Sequence, residues 1–268
     1  MKPESKGILS FERFQIPYRV YGEGKDMLCL NGAQQSMAMW FSFLSRFSNE
    51  YRIILFDFPH QGKAKINKGS FDVSLDEQVA IMHKLIQHLN INNAIISSAS
   101  WGGVVALLFA LRFPQYIKKL VLGSMGMRPN KRMQDTIIKG INTKSTDRVE
   151  MAAILIESFG DLLSARIKNQ IIYQFKSMSD ERLGAFCKHG MSVIFGDSLD
   201  NILPLNKVNK ETVVLYGKND KIIDYKDVKS MVSSMPNCTL RTIDGVGHFL
   251  HLEDEIVFDV YREVFSQE

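Results

Sequence analysis

The apolar positions of this chain change their period repeatedly, and each change marks an element. From residue 8 to residue 21 apolar and polar residues alternate, with a break at Pro17. A period of two belongs to a half-buried strand, so this stretch predicts one or two antiparallel edge strands. Short continuous apolar runs at 27–30, 52–56, 94–97, 117–122, 212–216 and 238–243 predict strands of an inner sheet. Between them lie helical patterns. One carries Met37, Trp40, Phe41 and Leu44, and one covers 75–89 behind Ser74 and Glu77, which have capping-box spacing. Another follows residue 103 and stops at Pro114, and the last two cover 225–235 and 252–265.

Strands alternating with helices predict an α/β fold, a mostly parallel sheet flanked by helices. From residue 125 to 206 the alternation lapses. Val149, Ala152, Ala153, Ile156 and Phe159 fall at helical spacing, as do Ile167, Ile171 and Phe175. The expected organisation is a core of 1–124 and 207–268, with 125–206 inserted as a helical lid over the C-terminal edge of the sheet. The same stripes also suit helices that simply face a core.

One strand-to-helix junction stands apart. Ile95-Ile96-Ser97-Ser98-Ala99-Ser100-Trp101-Gly102-Gly103 passes from a β-branched run through small residues straight into a helical pattern. That reads as a nucleophile elbow with Ser100 as the nucleophile, small residues at 98 and 102 letting strand and helix approach closely. The competing reading is a strand ending in a polar loop and a serine N-cap.

A serine hydroxyl needs a base, and the base an orienting acid; in such folds they follow in the order Ser, Asp or Glu, His, each after a strand. Of six histidines, His248 and His251 follow the last strand. His248 lies in the loop Asp244-Gly245-Val246-Gly247-His248-Phe249 and is the expected base, with His251 the alternative. The loop after residue 122 holds no carboxylate, whereas Gly217-Lys218-Asn219-Asp220 does. Asp220 is therefore the expected acid and Asp224 the second choice. Two backbone N–H groups should hold an oxyanion: that of Trp101, after the nucleophile, and that of Ala33, in the loop Asn31-Gly32-Ala33-Gln34.

Composition changes this picture little. The 268 residues are 45% hydrophobic and 23% charged with a net charge of +4, ordinary for a globular chain and too weakly basic to argue for nucleic acid. Three widely spaced cysteines (Cys29, Cys187, Cys238) suggest neither disulfides nor zinc. Met1-Lys2-Pro3-Glu4-Ser5 lacks a signal-like apolar segment, and no run reaches the roughly 18 apolar residues of a membrane helix, so a cytoplasmic location is expected. Gly-x-Gly-x-x-Gly, P-loop and His-Glu-x-x-His motifs are absent, so no cofactor or metal is expected.

The run from Ala106 to Leu122 and Gly247-His248-Phe249 resemble the α/β-hydrolase superfamily, a likeness extending over essentially the whole chain. A narrower resemblance rests on Leu30-Asn31-Gly32-Ala33, Leu55-Phe56-Asp57-Phe58-Pro59 with Gly62, Ser98-Ala99-Ser100-Trp101-Gly102-Gly103 and Gly247-His248-Phe249-Leu250. These are similar to the acyltransferase group that includes 3-(3-hydroxyalkanoyloxy)alkanoic acid synthase, which makes rhamnolipid precursors, and 3-hydroxyacyl-carrier-protein:CoA transacylase. Ser98 in place of glycine and Asn31 in place of histidine depart from the broad superfamily but are at home in this group. His251 stands where that group leads one to expect an acidic residue.

The resemblance implies Ser100, Asp220 and His248 as nucleophile, acid and base. It implies acyl transfer through acyl-Ser100 from a 3-hydroxyacyl thioester on acyl carrier protein. The acceptor would be another hydroxyacyl group, CoA or water. Lys118-Lys119 and Lys131-Arg132 could dock an acidic carrier, or be plain solvated surface. A carboxylesterase or thioesterase with the same residues, or a non-catalytic ligand-binding protein on the same fold, are the alternatives.

Overall fold

A computed structural model of the chain describes residues 1–144 and 146–266. It holds one nine-stranded sheet. In chain order the strands are β1 (Ser5–Phe11), β2 (Phe14–Tyr21), β3 (Lys25–Leu30), β4 (Tyr51–Phe56), β5 (Lys65–Ile66), β6 (Ala94–Ala99), β7 (Ile117–Gly123), β8 (Glu211–Gly217) and β9 (Cys238–Ile243). The spatial order is β1-β2-β4-β3-β6-β7-β8-β9, with β5 attached to β2. β1, β2 and β4 pair antiparallel, and every pair from β4 to β9 is parallel. Pro17 sits within β2 opposite Ile8 rather than ending a strand.

The parallel strands bury both faces, and successive residues go to opposite sides. Ile53 and Leu55 of β4, with Met27 and Cys29 of β3, join a core shared with α1 (Phe41–Phe47) and α10 (Val257–Ser266). Their neighbours Leu28, Leu30, Ile54 and Phe56 join a second core under α2 (Leu75–His88), α3 (Trp101–Arg112) and α9 (Tyr225–Ser233). Two-sided burial is why these runs read as continuous rather than alternating. The capping box of α2 is formed: Ser74 Oγ accepts from Glu77 N at 3.1 Å and Glu77 Oε2 from Ser74 N at 2.9 Å.

The last helix differs from expectation. It begins at Val257, not near residue 252. Two acceptors end the helical path early: the Glu253 carboxylate turns back onto the preceding loop, and Asp254 Oδ1 accepts from Ile256 N at 2.9 Å. Side chains that bond nearby backbone compete with helix in this way. The two-residue β5 was not foreseen either, being too short to have a period.

Between β7 and β8 run α4 (Lys131–Asn142), α5 (Arg148–Phe159), α6 (Ala165–Lys176), α7 (Asp180–Phe195) and α8 (Leu199–Ile202). Asn130, Asp147, Ser164, Ser179 and Ser198 cap them in turn, each side chain accepting from a backbone N–H of the first turn. Met151, Ala152, Phe175, Met178 and Leu183 give these helices a small core of their own. The stripe expected on α5 is shifted. Val149 is 42% exposed and Ala153 is also exposed, while Ala152, Leu155, Ile156 and Phe159 face inward. The correct stripe has the same spacing without its two outer members.

Lys119 is likewise not a surface lysine. It is 1% exposed, donates to Val264 O at 3.0 Å and pairs with Glu211 at 2.9 Å. In β7 the alternation turns Lys118 and Lys119 to opposite faces, so this pair does not present a basic patch. Lys131 pairs with Asp135 along α4.

Candidate active site

Ser100 sits between β6 and α3 with φ 48° and ψ −119°, a backbone conformation that costs a non-glycine residue of order 1–3 kcal/mol. It is over-determined by its surroundings: Ser100 N donates to Gly123 O of β7 and Gly103 N to Ser100 O, each at 2.8 Å. Gly102 supplies the close approach. A Cβ there would lie 2.8 Å from the carbonyl oxygens of both Leu30 and Asn31, so only glycine lets the start of α3 rest on the exit of β3. That contact brings the elbow and the Asn31–Gln34 loop together. Ser98 is fully buried between Leu30 and Leu122, its neighbours in β3 and β7.

His248 and Asp220 come from the loops after β9 and β8 and meet at 2.8 Å between Nδ1 and Oδ2. The Asp220 side chain has no exposed surface, and its other oxygen accepts from Ile222 N at 2.9 Å and Ile223 N at 3.1 Å. With a carboxylate at Nδ1, the neutral imidazole keeps its proton on that nitrogen and leaves Nε2 with a lone pair. The two second choices go elsewhere. Asp224 accepts from Asn130 Nδ2 at 3.0 Å. His251 is buried in an aromatic box of Trp40, Phe43, Phe258 and Tyr261, its Nε2–H directed to Met39 O at 3.1 Å. Burial there pushes its pKa down to about 4.

The sequence did not single out Glu253. Its carboxylate accepts from Gly247 N and, at 2.9 Å, from Phe249 N, clamping the backbone on either side of His248. Burial raises its pKa. An acid a few residues after a glycine-flanked histidine was the available signal.

Asn31 is a buried hub. Its Nδ2 donates to Phe56 O and Gln61 Oε1, each at 2.9 Å, and its Oδ1 accepts from Trp40 Nε1 at 3.0 Å. Gln61 Nε2 in turn donates to Gly32 O at 2.8 Å. The turn is closed by Gln35 N on Gly32 O at 3.2 Å and by Gly32 N on Gln35 Oε1 at 2.7 Å. These bonds use the N–H groups of Gly32 and Gln35 and leave that of Ala33 to other uses. Trp101 is the first residue of α3, so its N–H is one an α-helix leaves without an intrahelical acceptor.

Gly32, Ala33, Ser100, Trp101 and His248 line one cavity of about 900 Å³. Its remaining wall is largely apolar and comes mostly from the helices between β7 and β8, with Ile137, Leu155, Phe159, Ile171 and Phe186 among its members, and in part from the stretch that includes Phe58, Phe71 and Leu75. Phe159 meets the His248 ring edge to face at 5.7 Å. Polar bonds tie the helices to the sheet half: Gln174 Nε2 donates to Gln34 O at 2.8 Å, and Arg182 to Gly62 O at 2.7 Å.

Comparison with known proteins bears on the fold and the family. The (R)-3-hydroxydecanoyl-ACP:CoA transacylase of Pseudomonas putida is 23% identical over 273 residues, covering 98% of this chain and 90% of that protein. A 2-hydroxy-6-oxononadienedioate/2-hydroxy-6-oxononatrienedioate hydrolase 1, also of Pseudomonas putida, is 24% identical, covering 91% and 89%. Among solved structures, MGS-M2, an alpha/beta hydrolase enzyme from a Medee basin deep-sea metagenome library, matches with a TM-score of 0.83 at 20% identity over 98% of both chains. The family described as alpha/beta hydrolase fold matches residues 27–255. The chain therefore belongs to the α/β-hydrolase fold family and is an enzyme of that class.

Proposed function

We propose that this protein transfers acyl groups through an acyl-Ser100 intermediate, with Ser100, His248 and Asp220 as its triad and 3-hydroxyacyl thioesters as its donors. The observation that carries the reading is the union, in one large apolar cavity, of a serine in elbow geometry and a histidine backed by a buried aspartate.

In the first half-reaction Ser100 Oγ attacks the acyl carbonyl and gives its proton to His248 Nε2. Asp220, held by two backbone N–H groups, fixes the ring and stabilises the imidazolium. The N–H groups of Ala33 and Trp101 receive the negative charge of the tetrahedral oxygen, a term of several kcal/mol in such sites. Collapse breaks the carbon–sulfur bond, and the thiolate leaves with the proton from His248. In the second half an acceptor hydroxyl, CoA thiol or water is deprotonated by His248, attacks acyl-Ser100 and releases the serine. The inserted helices act as the lid and acyl-chain wall; a cavity of about 900 Å³ suits a long chain better than a small ester. The relative named as a transacylase supports a carrier-bound or CoA-bound donor.

The choice between transferase and hydrolase lies in the acceptor. The test is to incubate the protein with 3-hydroxyacyl carrier protein, with and without CoA, and to identify products by mass. Hydroxyacyl-CoA or a dimeric hydroxyacyl ester is the expected product. Free hydroxy acid alone would sink the transferase reading, and no turnover at all would sink the thioester reading.

A further inference from the structure

The mechanism above gives no role to a histidine that lines the cavity beside Trp101. His189, on α7, lines the same cavity as Ser100 and packs against Trp101, its ring centroid 4.3 Å from the indole and the planes at 83°. The indole is also held at its Nε1–H by Gln78, whose Oε1 accepts at 3.2 Å. The Trp101 side chain is thus fixed by two polar residues, and its backbone N–H is the one assigned to the oxyanion in the proposed mechanism.

Several other polar side chains around the cavity are spoken for: Gln78 by Trp101, Gln134 by Pro129 O, Gln174 by Gln34 O, Thr136 by Ser158 and Lys188 by Asp72. The Ser124 hydroxyl, just after β7, is buried without a protein partner and lies on the sheet side of the cavity. Among the described residues, no protein group hydrogen-bonds the His189 ring. Nearby walls are apolar, including Phe186, Val193 and Ile137. Burial pushes its pKa down to about 4, so at neutral pH the ring is uncharged, with one N–H to give and one lone pair to receive. The ring is half-buried and without a protein partner, so its N–H and lone pair are open to a ligand in the cavity.

We propose that His189 is a specificity residue that hydrogen-bonds a hydroxyl on the acyl chain close to the scissile carbonyl, and so selects hydroxyacyl over plain acyl donors. The placement follows from Trp101. The carbonyl oxygen lies against the Trp101 N–H, and the imidazole lies across the indole of the same residue. The group it meets is therefore within a few bonds of the carbonyl, not at the far end of the chain. A site built to bond a substrate hydroxyl discriminates against the analogue that lacks it far more sharply than an apolar pocket senses one methylene.

This inference rests on the acyl-Ser100 reading and is tested apart from it. The kcat/KM of Ser100 acylation is measured with two CoA thioesters of equal chain length, one 3-hydroxylated and one unsubstituted. The wild-type protein is expected to prefer the hydroxylated donor by about 10- to 100-fold. His189→Leu should bring the ratio close to one, whatever change the two donors share, and His189→Asn, which keeps a donor and an acceptor, should retain part of the preference. An unaltered ratio in His189→Leu, or no preference in the wild type, overturns the proposal and leaves serine acyl transfer standing. Failure of both thioesters to acylate Ser100 overturns the two together.

Discussion

The Glu253 carboxylate accepts from the N–H groups of Gly247 and Phe249, so it holds the residues before and after His248 at once. It touches no reacting atom in the proposed mechanism, and its part is to position. Glu253→Gln keeps one acceptor oxygen and loses the other, which loosens one side of the loop. Misplacing a general base by a fraction of its hydrogen-bond length is costly, so kcat for an acyl ester should fall by roughly 10-fold or more with KM little changed. Steady-state kinetics of the variant check this; a rise in KM at constant kcat would assign Glu253 to substrate binding instead. At this scale legibility was uneven. The elbow backbone at Ser100 and the meeting of Asp220 with His248 could be read because chain order and strand ends restrict where such residues go. Glu253 could not, because the N–H groups that donate to it become neighbours only when the chain doubles back before α10. Asn31 was visible as an unusual residue, but its bonds to Trp40, Phe56 and Gln61 join it to the helical turn before α1, the end of β4 and the loop beyond, which no local pattern records.

At the scale of elements, α1 and α10 pack on one face of the sheet through Phe43, Phe47, Phe258, Tyr261 and Phe265, with His251 between them. Its Nε2–H has an acceptor in Met39 O, while its Nδ1 is buried without one. The box therefore accommodates only the neutral ring, and its pKa is held at about 4. Unfolding restores an ordinary histidine with a pKa near 6.5, so the unfolded chain takes up the proton first. Stability from this group is complete above about pH 6.5 and is lost as pH falls toward 4, by about 3 kcal/mol in total. Asp57 and Glu253, whose pKa values burial raises, act with the opposite sign: they favour the fold at low pH and lose that contribution as pH rises. Comparing the two proteins separates the effects. Between pH 7 and pH 4.5 the melting temperature of the wild type should fall more steeply than that of His251→Phe, and parallel curves would refute the assignment. The strands and most helices on either side of this box were legible from period alone. The late start of α10 was not, because two acidic side chains capture backbone groups that helix period assumes are free.

For the molecule as a whole, the sheet half supplies Ser100, Asp220 and His248, and the helices between β7 and β8 supply most of the cavity wall around Ser100 and His248. The first half carries strong sequence signals because strained turns and close approaches admit few residues: Gly102, for example, has two carbonyl oxygens where a Cβ would go. The second half is written only as apolar spacing, which tolerates many sequences. Accordingly the strand-end positions of Ser100, Asp220 and His248 were readable and the shape of the pocket was not; α5 turned out to show Val149 to solvent. All of it converges on one covalent species. Rapid mixing with an acyl thioester, acid quench and mass analysis of the digested chain should find one acyl group per molecule, on the peptide containing Ser100, and none in Ser100→Ala. Continued turnover by Ser100→Ala, or an acyl group carried on another residue, would contradict it.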